Sequence, residues 1–373
     1  MKKVIIYGAV LVGAIFLVSF GLFLNTKPST MPLEESNFLE CETPTSSGWK
    51  TNFEEYIVSP SEFLSGGPGK DGIPAIRSPK FVTVEVASDF LIDDEMVLGL
   101  VHNGDSKAYP IQIMVWHEIV DDIVGGDPLL ITWCPLCGTG IAFDRVIDGI
   151  TYCFGVSGML YNSDLVMYDQ QTESWWSQAL GTALVGDMAG TELNIIPITM
   201  TSWGSWKNLH PDTKVLSRET GYSRPYGENP YSGYEESGNI WFPVSNVDDR
   251  LFAKDIVTGL TIDGNSKAYP HEELVKTVIV NDELGGQSIV VIWNPDLEDA
   301  SIFSRVINGQ VLNFEYDNIN KTMLDDETGS NWSLAGMATA GQMAGKQLSQ
   351  IPAFRSFWFA WVAFYPETEL YRA

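Results

Sequence analysis

The heptapeptide Gly104-Asp105-Ser106-Lys107-Ala108-Tyr109-Pro110 returns 160 residues later as Gly264-Asn265-Ser266-Lys267-Ala268-Tyr269-Pro270, and this return constrains the fold more than any other feature. Laid on Val257–Phe314 without gaps, Val97–Phe154 shows 23 identities in 58 positions, where average composition would give about four. Farther on, after four residues drop out between Gly155 and Asn162, Trp176-Ser177 aligns with Trp332-Ser333. After one more, Ile196-Pro197 aligns with Ile351-Pro352, and His210-Pro211 with Tyr365-Pro366. A period this long predicts two copies of a whole domain, since solenoid repeats are far shorter.

Each copy reads as β-rich α+β. Residues 97–101, 129–133, 141–147, 151–156, 165–168 and 193–197 are β-branched or aromatic runs bounded by Gly, Asp or Pro, the pattern of strands. Asp148-Gly149 and Asn308-Gly309 stand at equivalent places, and both pairs accept the positive φ of a tight type I′ hairpin. Pro110 and Pro270 open short helices. A second helix is expected over 201–209, with Trp203, Trp206 and Leu209 on one face, and its counterpart over 356–364. Both stop just before a proline. The expected order is an anchor over 1–25, a Pro/Gly/Ser-rich extracytoplasmic segment over 26–80, copy one over 81–220, an aromatic connector over 221–242 and copy two over 243–373. The Gly66–Gly72 stretch lacks P-loop spacing and reads as a turn.

Lys2 and Lys3 precede an uncharged run, Val4–Leu24, which as a helix spans about 32 Å and so crosses a bilayer. The paired lysines place the N-terminus in the cytoplasm and the rest of the chain outside it. The run is longer than a usual signal-peptide core, and no A-x-A-like cleavage site or lipid-accepting cysteine follows, so the expectation is an uncleaved single-pass anchor. Twenty-two Lys and Arg against 48 Asp and Glu give a net charge of −26, which repels phosphate backbones and excludes nucleic acid as a partner.

The repeat separates what the fold needs from what chemistry needs. Residues alike in both copies serve the fold, and reactive residues found in one copy are candidates for function. Copy one holds nearly all of these. Cys134, Cys137 and Cys153 face Asn294, Leu297 and Asn313, while His117 faces Thr277 and His210 faces Tyr365. Copy two is therefore expected to be a degenerate, structural partner.

Trp133-Cys134-Pro135-Leu136-Cys137-Gly138 is a CPxCG turn at a strand end, where two thiolates converge on one ion and the glycine lets backbone N–H groups approach the sulfurs. Soft donors favour copper, zinc or iron. Cys134, Cys137 and His117 are the expected ligands, with Cys153, His210, Asp144, Tyr161, Asn162 and Asp164 as further site residues. An Asp144–Arg145 ion pair would be structural. Two other readings use the same cysteines. One is a thiol-disulfide oxidoreductase working through the CPLC pair, although turn and strand follow Cys137 where a thioredoxin-like fold needs a helix. The other is a structural or binding module with inert disulfides, for example Cys134–Cys137 with Cys41–Cys153, one of three pairings. No Ser-His-Asp spacing is diagnostic of hydrolysis.

The runs TWCPLCGTGIAFDR, FGVSGMLYNSDLVMYDQQTESWWSQ and HPDTKVLSRETGY, with KDGIPAI upstream, resemble the family called domain of unknown function 3179 over about Gly67 to Tyr234. The resemblance implies an exported protein without an assigned activity. It also implies that Cys134, Cys137, Tyr161, Asn162 and Asp164 belong to a recurring motif, from which copy two departs at both cysteines and at the YNSD segment.

Overall fold

Alternating apolar residues and glycine turns build a β-rich architecture with few, short helices in the computed structural model, which describes Cys41 and residues 48–373. The anchor expected over Val4–Leu24 lies outside the described residues. Among the described residues, no helix is long and apolar enough to cross a membrane.

Three larger sheets and the two-stranded hairpin Val146–Ile147/Ile150–Thr151 make up the first half. Met96–His102 and Asp105–Pro110 form a hairpin at the centre of a five-stranded sheet, flanked by Thr199–Ser202 on one side and by Lys214–Leu216 and Phe81–Val82 on the other. Ile119–Val124, Asp127–Cys134, Thr139–Asp144 and Ile195–Ile196 form the second sheet. Seven of the eight residues of Asp127–Cys134 are buried, as in a strand covered on both faces. The third sheet runs Leu64–Ser65, Phe154–Tyr161, Asp164–Asp169, Trp175–Ser177, Thr182–Val185.

In the second half, Ile256–Ile262 and Asn265–Pro270 pair in a register offset by 160 from the first hairpin. Phe354–Phe357 and Glu369–Leu370 flank them. The second sheet here is Ile279–Leu284, Gln287–Asn294 and Asp299–Ser304, and the third is Phe314–Asp317, Thr322–Asp325, Asn331–Trp332 and Ala338–Ala340.

Turn chemistry follows the residues. Asp148 and Gly149 have φ of 51° and 78°, and Asn308 and Gly309 have 52° and 80°, so both expected hairpins close with two left-handed residues. The helices are shorter than expected. Strand Thr199–Ser202 takes the first two residues of the expected helix, leaving Trp203–Leu209 with Ser202 as its N-cap, while Phe354–Phe357 does the same to Trp358–Phe364. Trp203 and Trp206 are buried, but Leu209 is exposed and does not share their face. Trp206 lies on Gly99, where a Cβ would sit 2.3 Å from the indole, and Trp361 lies on Gly259 at 2.4 Å.

The largest apolar cluster belongs to both halves. It joins Cys134, Cys137, Phe154 and Trp176 to Phe357, Trp358 and Trp361. Polar contacts cross the same boundary. Phe357 N–H donates to Cys137 O (2.9 Å), and Asn162 Nδ2 donates to Ala363 O (3.2 Å). The backbone N–H and hydroxyl of Ser245 both donate to Asn162 Oδ1 at 2.8 Å.

Candidate metal centre

The CPxCG turn links Asp127–Cys134 to Thr139–Asp144, with Cys134 opposite Thr139 in the ladder. Gly138 has φ of 61°, and a Cβ there would meet the Phe357 ring at 2.8 Å. The turn needs glycine for conformation and for space. Its carbonyls are tied down, Leu136 O by Tyr234 Oη (3.0 Å) and Cys137 O by Phe357 N–H and by Thr139 Oγ1 (3.1 Å). Cys134 and Cys137 are free thiols, each 1% exposed.

A second turn brings the third group. Asn162 and Ser163, with φ of 53° and 65°, join strands Phe154–Tyr161 and Asp164–Asp169. Two adjacent left-handed residues, neither of them glycine, store strain. The bend brings the Ser163 carbonyl to Cys137 Sγ, which donates to it at 3.5 Å, and sets Asp164 against the thiols. Cys134 Sγ, Cys137 Sγ and a carboxylate oxygen of Asp164 all lie within 4.8 Å of one another. Asp164 is fully buried. Its Oδ2 accepts from Ala179 N–H (2.9 Å) and Ser177 Oγ (3.3 Å), whereas Oδ1 is buried with no hydrogen-bond partner.

Glu118 joins the cluster from the strand edge, in a left-handed conformation of φ 58°, its carbonyl accepting from Trp133 N–H at 2.8 Å. Burial, with the Asp164 charge second, pushes its carboxyl up to about 8. Burial likewise holds Asp164 up at about 7 and raises both thiols, Cys137 the more. The Asp164 charge adds to the rise at Glu118 and at both thiols, and the Glu118 charge to that at Cys134. Cys134 and Glu118 also line a cavity of about 150 Å³ whose remaining wall is almost wholly apolar.

The donor set fits a soft or borderline cation. Two thiols and a carboxyl converge without a counter-charge, and one carboxylate oxygen has no other partner, so a bound ion would neutralise the cluster and satisfy that oxygen. Three protein donors fall one short of a closed structural zinc site.

The structure does not bring His117 to the thiols. Its Nδ1–H donates to Pro74 O and its Nε2 accepts from Tyr226 Oη, both at 2.7 Å, so the neutral ring has no lone pair left for an ion. Burial lowers it to about 4. Cys153 is bonded to Cys41. Of the example pairing, this bridge is present and Cys134–Cys137 is not. His210 closes helix Trp203–Leu209 with its ring 4.2 Å from Trp206. Asp144 accepts from Val146 N–H. The expected Asp144–Arg145 pair does not form, because Arg145 reaches the carbonyls of Tyr152 and Asp122 and the sulfur of Cys41. Tyr161 packs between Phe63 and Phe364, and Asn162 ties the halves together. Glu118 is the site residue that sequence reasoning passed over. Comparison of the halves carried its signal, since it faces Val278, which has the same left-handed backbone (φ 63°) but no acid.

Fold and site together define a β-rich protein with a buried dithiol–carboxyl cluster. The chain belongs to the family described as Protein of unknown function (DUF3179), whose model matches residues 70–368 and so takes in both halves. No curated protein and no solved structure matches it.

Proposed function

We propose that the protein holds a soft transition metal, copper, zinc or iron, between Cys134, Cys137 and Asp164. Its role is electron transfer or metal handling on the outer side of a membrane to which residues 4–24 anchor it. The carrying observation is the convergence of the three donors within 4.8 Å in a buried site where Asp164 Oδ1 lacks any other partner. A bound ion would hold both sulfurs as thiolates and supply a redox or exchangeable centre. The open fourth position favours handling or transfer over a purely structural role.

The Cys41–Cys153 bridge supports an oxidising, extracytoplasmic location. In such a place an unprotected dithiol tends to oxidise, which favours a metal between Cys134 and Cys137. Disulfide exchange has less support, because an attacking thiol needs exposure and a lowered pKa, and these two have neither. The 23 identities and the hairpins offset by 160 support an origin by duplication, in which the second half kept the shape and lost the donors.

The test is elemental analysis of the full-length chain, purified without chelator or affinity metal, beside Cys134→Ser/Cys137→Ser and Asp164→Asn. The expected result is about one ion per chain, absent from the double variant and reduced in the aspartate variant. No metal in the wild type, with Cys134 and Cys137 found disulfide-linked by peptide mapping, would overturn the proposal.

A further inference from the structure

The cavity beside the cluster has a chemistry of its own. Tyr231, Trp241, Phe242, Leu160, Met159 and Ile73 stand in its wall, and Glu118 is its one carboxyl-bearing residue. Glu118 is 6% exposed, its side chain makes no hydrogen bond among the described residues, and it opens onto the cavity. A carboxyl that opens onto a cavity without a protein partner takes its hydrogen bond from what fills the cavity, and a molecule there that donates one would meet that need.

Size and charge narrow the occupant. An apolar protein cavity of about 150 Å³ takes a benzene ring, and this cavity has about that volume. Glu118 in the wall and a net charge of −26 on the chain disfavour phosphates and carboxylates. Aromatic side chains on the wall favour a flat ring, which they meet edge-on or offset.

We infer that the cavity is the substrate pocket of the cluster and takes a neutral, single-ring molecule with one hydrogen-bond donor, as in a phenol. The donor sits on Glu118 and the ring lies among Tyr231, Trp241 and Phe242. That the pocket serves the cluster rests on the metal reading above, whereas its capacity to bind such a molecule does not. Cys134 lines the same cavity, so an occupant would lie against the open side of the donor set.

Fluorine NMR titration of the full-length chain with para-fluorophenol and with fluorobenzene tests this. The phenol is expected to bind saturably and about tenfold tighter than fluorobenzene, the difference one hydrogen bond makes. Met159→Trp, and independently Leu160→Trp, fill the cavity and should abolish saturable binding of both probes. Glu118→Val places there the residue that the second half carries at Val278, and should bring the phenol down to the level of fluorobenzene. Binding unchanged in both filled variants, or equal affinity for the two probes in the wild type, would overturn the inference. The same titration on Cys134→Ser/Cys137→Ser, with metal analysis of each sample, separates the two proposals. Phenol binding that persists in a wild type without metal supports the pocket and removes the metal reading alone.

Discussion

Burial acts on this chain's titratable side chains in opposite directions, and histidine shows the consequence most simply. His271, whose Nε2 lies 2.8 Å from Thr258 Oγ1, is pushed down to about 3 by burial, with the Arg355 charge adding to the effect. In the unfolded chain it titrates near 6.5. A depressed folded pKa means that the unfolded state binds the proton first. The stability contributed by neutral His271 is therefore complete above about pH 6.5 and is lost as pH falls toward 3. Between pH 7 and pH 5 the loss is about 2 kcal/mol. Replacing His271→Asn should remove that dependence, so the urea-denaturation difference between wild type and variant should shrink by about this amount from pH 7 to pH 5. A difference that stays constant would show that the ring is not held neutral. Residue identity was legible in the sequence at Cys134 and Cys137, because the second half lacks both. His117 passed the same filter for a different reason. Sequence comparison registers that a residue differs between halves, but cannot register that both ring nitrogens are already spent on Pro74 and Tyr226.

Among the elements, turns were the most legible, since Asp-Gly and Asn-Gly demand positive φ wherever they fall and need no tertiary information. Helix starts were not, because Thr201 and Ser202 suit a strand edge as well as a helix N-terminus, and pairing with Val97 and Met96 decides the matter. Gly99 and Gly259 belong at this scale. Each lies mid-strand, where glycine is normally a cost, and each makes room for a tryptophan, Trp206 or Trp361, from the helix that continues the neighbouring strand. Adding a Cβ at 2.3–2.4 Å from an indole forces the helix off the sheet. Gly99→Ala and Gly259→Ala should each destabilise the protein by about 3 kcal/mol, read as a lowered urea midpoint. The effect at Gly259 should reach the cluster as well, since Trp361 shares an apolar core with Cys134 and Cys137. If metal content in Gly259→Ala stays at the wild-type level under native conditions, that coupling is absent.

Across the whole molecule, the internal similarity implied two copies of one domain, the second a structural partner, and the structure adds a dependence that no one-dimensional pattern carries. Helix Trp358–Phe364 buries six of its seven residues. Trp358, Phe359 and Trp361 among them belong to the cluster that contains the first half's thiols. Cys137 O takes its hydrogen bond from Phe357, and Asn162 spends its amide on Ala363 and Ser245. Each polar contact is worth about 1 kcal/mol and each large apolar side chain about 1.5–3 kcal/mol of burial. Leaving out the second half removes a sum comparable with the whole stability of a domain. Residues 26–242, which keep Cys41 and its bridge to Cys153, should therefore, expressed alone, lack a cooperative unfolding transition, bind a hydrophobic dye and retain no metal. Co-expression with residues 243–373 should restore all three properties to wild-type values. A first half that unfolds sharply and carries its ion alone would mean that the second half is an attachment. The opposite result would make the half without the donors the part that closes the site for the half that carries them.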